Sequence, residues 1–309
     1  MPKQGRTYGQ DILRGEYQNI DGKGSIGARF RHKKADSKVF NDADWVKKEG
    51  LSGLAADVGG GGGTSIFDPV LCELAYAWFC PPGGLVLDPF AGGSVRGVVA
   101  ARMGRRYFGI DLSKAQLDAN RAQAAAILSP AQADACEWKE GDSRDLDAIA
   151  GNGAADFVFS CPPYFDLERY SDDPRDLSNM RPAAFLEAYR GIIAKACARL
   201  RDNRFACFVV GDVRAPDGAY RNLPGETIAA FQSAGLKLYN EAILVTAAGS
   251  LPIRAGRQFE ASRKLGKTHQ NCLIFVKGDA TQAAKVVGPC QFGTITDPGG
   301  EDDESVGLL

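Results

Sequence analysis

An apolar run at residues 85–87 stops at Asp88 and gives way to Pro89-Phe90-Ala91-Gly92-Gly93-Ser94. Helical spacing then takes over at about 94–103. A buried strand that ends in a glycine-rich loop and turns into a helix is the first step of a layered α/β fold. The pattern repeats along the chain. RRYFGIDLS gives a second strand ending at Asp111, and a helix follows over 113–128. GDSRDL at 141–146 sits after a third strand, and DFVFS at 156–160 is a fourth. An amphipathic helix at 183–201 leads to FACFVVGD at 205–212, and residues 226–235 form a helix closed by Gly235. The last strands are 242–247 and 271–278. This alternation predicts an α/β fold with a doubly wound, mostly parallel sheet, its final helix-free pair forming an antiparallel edge. Ahead of it all, residues 68–80 have helical spacing, with Asp68 and Pro69 as start signals.

The flanks differ in character. Residues 1–64 read as a polar extension with a joint at Gly59–Gly63, residues 65–278 as the catalytic domain, and 279–309 as a flexible tail. A net charge of −1 on 309 residues does not indicate a globally basic nucleic-acid binder. No apolar run reaches the length of a membrane span, and the N-terminus lacks the apolar core of a secretion signal, so no membrane partner is expected. The eight cysteines form no CxxC pair and read as free thiols in a reducing, cytoplasmic compartment. With only two histidines and no Cys/His cluster, a metal site is not expected.

The chemistry gathers at the strand ends. Glycines in the first loop let a ligand approach the backbone. Asp111 ends the next strand about twenty residues on, where an acidic side chain takes ribose hydroxyls. Asp142 lies in the third strand-end loop, suited to an adenine amino group. Ser143 beside it and Phe67 ahead of the first helix complete the candidate cofactor set. One such aspartate reads most simply as a helix cap; three at successive strand ends do not. The loop lacks GxGxxG, and no Lys-Ser/Thr follows its glycines, so neither a dinucleotide nor a nucleoside triphosphate fits. A cofactor with ribose and adenine but no phosphate does: S-adenosylmethionine. The fourth strand then breaks into Cys161-Pro162-Pro163-Tyr164. Two prolines stiffen the loop and leave its carbonyls free as acceptors beside an aromatic ring.

VLDPFAGGS followed by FSCPPY resembles the S-adenosylmethionine-dependent DNA amino-methyltransferases, which modify adenine N6 or cytosine N4. The resemblance runs over roughly 65–278, with the cofactor elements first and the Pro-Pro loop second, the permuted order for this family. It implies the Rossmann-like class I methyltransferase fold, S-adenosylmethionine as cofactor, double-stranded DNA as partner and a monomer or homodimer. It also implies transfer to an exocyclic amino group of a flipped base. Pro162, Pro163 and Tyr164 match the catalytic loop, but Cys161 stands where the family usually has Asp, Asn or Ser. Three readings of that departure are open: Cys161 as a weak acceptor, a twist that brings Ser160 in, or Cys161 as a nucleophile towards a pyrimidine carbon. Candidate recognition loops are 165–182, 214–225 and 250–269; the last carries Arg254, Arg257, Arg263, Lys264 and Lys267, enough for phosphate contacts. An RNA or protein-glutamine amino-methyltransferase and a catalytically inactive nucleic-acid-binding module stay open as alternatives. GPCQFG at 288–293 imitates the Pro-Cys-Gln loop of cytosine-C5 enzymes, but lies far past the fourth strand and reads as coincidence.

Overall fold

A computed structural model of the chain describes residues 67–151, 153–245 and 251–290. The extension at 1–64, its glycine joint and the tail beyond 290 lie outside the described residues.

The first helix, α1 (Pro69–Phe79), opens where the sequence signals it: the Asp68 carboxylate accepts from Val70 N at 2.9 Å and proline occupies the first turn. Then come β1 (Leu85–Asp88), α2 (Val95–Arg102), β2 (Arg106–Asp111), α3 (Lys114–Ile127) and the short α4 (Pro130–Ala133). They are followed by β3 (Cys136–Glu140), α5 (Leu146–Ile149), β4 (Ala155–Ser160), α6 (Pro182–Arg199) and β5 (Leu200–Val210). The chain continues through α7 (Leu223–Ser233), β6 (Lys237–Val245), α8 (Leu251–Ser262), β7 (His269–Lys277) and α9 (Ala280–Val287).

The seven strands form one sheet in the order β3-β2-β1-β4-β5-β7-β6. β1 pairs in parallel with β2 on one side and β4 on the other, so the order of strands reverses there. A crevice for ligands opens beyond the carboxyl ends of strands at such a point. β7 runs antiparallel to both β5 and β6, which gives the expected antiparallel pairing at the end of an otherwise parallel sheet.

All six residues of β4 are buried, as a central strand covered on both faces must be. Phe157 and Phe159 meet Tyr76 of α1 edge-on at 6.2 and 5.5 Å. On the other face Val158 joins Phe185, Tyr189 and Ile192 of α6 in the main core. Each such aromatic contributes roughly 1.5–3 kcal/mol by leaving water. The core thus holds the ends of β1 and β4 side by side, which is what positions the site.

Four expectations need correction. The stretch read as the loop 250–269 contains α8, whose Pro252 and mid-helix Gly256 disguise its helical spacing. The last strand pair is therefore joined through a helix. β6 begins at Lys237 rather than 242: it lies at the sheet margin, largely exposed, and its first residues, 237–241, carry no apolar run to announce them. The tail begins with α9, capped by Asp279 and buried through Ala283 and Val287. Among the described residues no helix is long and apolar enough to cross a membrane.

Candidate active site

The loop after β1 is organised by a carboxylate that faces inward. Asp88 is completely buried. It accepts from Phe90 N at 3.1 Å, Arg96 Nε at 2.6 Å, Tyr107 Oη at 2.7 Å and Ser160 Oγ at 2.5 Å. The Arg96 guanidinium also donates to the carbonyls of Phe90 and Ala91 at 2.7 and 2.9 Å. One buried ion pair therefore shapes the loop from below. Tyr107 reaches it because Gly109 has no side chain: a Cβ there would stand 2.6 Å from the Tyr107 ring. Asp88, expected among the cofactor contacts, is engaged on both oxygens as the keystone of the loop. Ser160, expected at the catalytic loop, is fully buried and turned to Asp88, so the twist that would bring it to a substrate does not occur.

The rest of the loop is arranged around Asp111. Gly92 adopts φ +48°, which a side chain disfavours, and its N–H donates to Asp111 Oδ2 at 2.9 Å. Ser113 N donates to the other oxygen at 2.9 Å. Burial holds the Asp111 carboxyl above its ordinary range. Two backbone donors leave lone pairs on both oxygens, which suits a vicinal diol. Asn120 Nδ2 ties the Gly92 carbonyl at 2.7 Å, while Gly93 is exposed with open space above it. Ser94 is buried, and its hydroxyl donates to Gln123.

The third strand end is less open. Asp142 is buried, but both oxygens accept from Arg144: Oδ2 from Nε at 2.9 Å and Nη2 at 2.6 Å, and Oδ1 from the backbone N at 2.9 Å. Burial alone would raise this carboxyl; the Arg144 contacts outweigh it and hold it below the usual range. An adenine amine would have to share Asp142 with Arg144. Ser143 Oγ donates to the Pro89 carbonyl at 2.5 Å and so ties this loop to the first. Phe67 packs edge-on against Phe159 at 5.7 Å, under the Arg96 guanidinium at 4.7 Å from its ring centre. Asp111 and the glycine loop fit a nucleoside without phosphate, and among the described residues no group of acidic, Cys or His side chains is placed to hold a metal.

The Pro-Pro loop lies beside this crevice. Pro162 is buried, while Cys161, Pro163 and Tyr164 are half-buried. Cys161 Sγ lies 3.5 Å from Tyr164 Oη. The phenol also accepts from Gln270 Nε2 at 2.9 Å and donates weakly to the Val209 carbonyl at 3.4 Å. The Tyr164 ring rests against Gly211, where a Cβ would stand 3.2 Å from it. Burial pushes the Cys161 thiol up, so it stays neutral at ordinary pH. Phe165 takes φ +54° and stacks on Phe185 at 4.2 Å, which pins the far end of the loop. Sequence reasoning missed Arg96, Tyr107, Arg144 and Gln270. Arg96, Tyr107 and Gln270 carry no local signal, since each acts through burial or a partner further off in the chain; Arg144 pairs with Asp142 two residues before it, a spacing the sequence did show.

Of the basic residues expected at a nucleic-acid surface, Arg257 and Arg263 are exposed, and Lys264 and Lys267 are half-exposed. Arg254 falls in the first turn of α8, and its side chain lies outside the described residues.

Residues 76–122 match the family model described as DNA methylase. The match runs from α1 through the glycine loop and Asp111 into α3. The resemblance read from DPFAGGS is thus matched over residues 76–122, and the fold is the expected doubly wound, mostly parallel α/β sheet. No curated protein matches the chain by sequence. Among solved structures, a methyltransferase from Pyrococcus furiosus is 14% identical with TM-score 0.46, covering 80% of this chain and 100% of its own. TrmN from Thermus thermophilus is 16% identical with TM-score 0.45 over 68% of this chain, which spans only 49% of TrmN. The CcbJ methyltransferase from Streptomyces caelestis is 14% identical with TM-score 0.45, covering 68% of this chain and 88% of its own.

Proposed function

We propose that this protein transfers a methyl group from S-adenosylmethionine to an exocyclic amino group of a base flipped out of double-stranded DNA, cytosine N4 or adenine N6. The observation that carries the reading is the pairing of two loops at the β1/β4 reversal: a glycine loop tied to Asp111, and a Pro-Pro-Tyr loop beside it. The DNA methylase match over the first loop supports it.

S-adenosylmethionine supplies a methyl group already activated on a cationic sulfur. Asp111 holds the ribose hydroxyls, the glycine loop lets the ligand lie on the backbone, and Asp142 and Ser143 border the adenine end. A base amine is a poor nucleophile because its lone pair is delocalised into the ring. Acceptors on its N–H bonds draw the lone pair out of conjugation. The carbonyls of the rigid Cys161-Pro162 segment supply them without reorganisation, and the neutral Cys161 sulfur is a weak auxiliary acceptor. Tyr164, fixed by Gln270 and Gly211, stacks on the base. After transfer the nitrogen sheds its extra proton to water.

The neutral Cys161 thiol disfavours the carbon-methylating reading, which needs a thiolate. Expression in a host whose DNA carries no methylated bases, followed by nucleoside mass spectrometry, tests the proposal. N4-methylcytosine or N6-methyladenine is the expected product. 5-Methylcytosine would instead assign Cys161 as a nucleophile.

A further inference from the structure

Two segments that are far apart in the sequence meet beside the catalytic loop. The first is a hairpin at 213–221. Its backbone is cross-linked by Arg221 N to Val213 O at 2.9 Å and by Ala215 N to Ala219 O at 2.8 Å, with a bridge between Arg214 and Tyr220. Arg214 Nη1 closes its tip on the Gly218 carbonyl at 2.8 Å. The second is 263–267, which follows α8. Gly218 sits at φ +91°, and a Cβ there would come within 2.9 Å of Lys264 Cε. The lysine stem therefore lies directly on the hairpin tip. The Tyr220 ring, 44% exposed, carries the Arg214 guanidinium at 3.9 Å and Lys267 Nζ at 5.9 Å from its centre.

No ion pair joins Arg214, Lys264 or Lys267 to a carboxylate among the described residues. Two cations thus lie over one exposed aromatic ring and a third, Lys264, lies on the hairpin tip beside it, none of them neutralised by a carboxylate of the described residues. The hairpin is also locked to the catalytic loop. Arg221 grips Asp166 with two contacts, at 2.8 and 3.0 Å, and lies 4.9 Å from the Phe165 ring centre. Asp166 stands two residues after Tyr164.

We propose that the hairpin and the 263–267 segment form one clamp for the phosphate backbone of duplex DNA, set at a fixed distance from the catalytic loop by the Arg221–Asp166 pair. Arg214, Lys264 and Lys267 take phosphates next to the flipped nucleotide, and Tyr220 fixes their spacing. This rests on the DNA reading above and specifies where the duplex lies.

The test is the salt dependence of binding to a short fluorescein-labelled DNA duplex, for the full chain and a Lys264→Gln/Lys267→Gln variant. Each phosphate contact contributes about 0.9 to the slope of log K against log salt. The variant should lose about 1.8 from that slope while its affinity for S-adenosylmethionine, measured by calorimetry, stays unchanged. Tyr220→Ala should weaken duplex binding roughly threefold to tenfold, and Tyr220→Phe should not. Unchanged slope and affinity in the lysine variant, in a protein that still methylates DNA, would overturn the clamp and leave the activity standing. Absence of duplex binding in the unaltered chain, with labelling of RNA or protein instead, would overturn both.

Discussion

Asp111 and Asp88 are both strand-end aspartates, and their surroundings give them opposite tasks. Asp111 has two backbone donors and spare lone pairs; Asp88 is enclosed by Arg96, Tyr107, Ser160 and Phe90 N. In the proposed role, ribose hydroxyls would donate to the ionised form of Asp111, whose folded pKa is raised by burial. Cofactor affinity should therefore begin to fall, as pH is lowered, at a higher pH than an ordinary aspartate would cause. Asp111→Asn should remove that dependence and weaken binding about tenfold or more, the worth of a charge-assisted hydrogen bond. Calorimetry across pH reads both effects, and a flat profile in the unaltered protein would exclude Asp111 from the ribose. Arg96→Met leaves the Asp88 charge buried without its partner and should cost about 3–5 kcal/mol in a denaturant titration. A loss below about 1 kcal/mol would mean that Tyr107 and Ser160 suffice. Sequence showed the position of Asp88 but not its task, because Arg96, Tyr107 and Ser160 lie 8, 19 and 72 residues away.

The elements that matter are the Pro-Pro-Tyr loop and the hairpin that grips it. The prolines fix its first half; Phe165 on Phe185 and Asp166 on Arg221 fix its second. Breaking the grip with Asp166→Asn should lower kcat for methyl transfer roughly tenfold to a hundredfold, the usual cost of misplacing a reacting group by about 1 Å. S-adenosylmethionine affinity should be unaffected, since Asp111 and its loop are untouched. An equal loss in cofactor affinity would show that the pair holds the whole fold rather than the loop. Much of this scale was legible: β1 and β4 are apolar runs broken by Pro and Gly, and β2 ends at Asp111 just before the helix cap Ser113. α8 and the first half of β6 (237–241) were not, because a helix with Pro252 and Gly256 and a largely exposed stretch of strand lack the periodicity that burial imposes. Gln270, on β7, gave no signal because its role depends on Tyr164, 106 residues away.

At the scale of the molecule, the reversal of strand order between β1 and β4 brings the glycine loop and the Pro-Pro-Tyr loop together, and the sheet buries what lies beneath them. The alternating pattern of the sequence was enough to expect this, since a doubly wound sheet offers one such crevice for its ligands. The clamp hairpin was not legible as a unit: 214–225 and 250–269 read as separate loops until the contact of Gly218 with Lys264 joins them. The central claim is that the transferred methyl ends on an exocyclic nitrogen of a DNA base. Incubating the purified full chain with unmethylated DNA and methyl-deuterated S-adenosylmethionine, then digesting to nucleosides for mass spectrometry, tests it most directly. The account expects the label as N4-methylcytosine or N6-methyladenine, retained in Cys161→Ser. Label at cytosine C5 that disappears in Cys161→Ser, or label in RNA or protein with none in DNA, would contradict it.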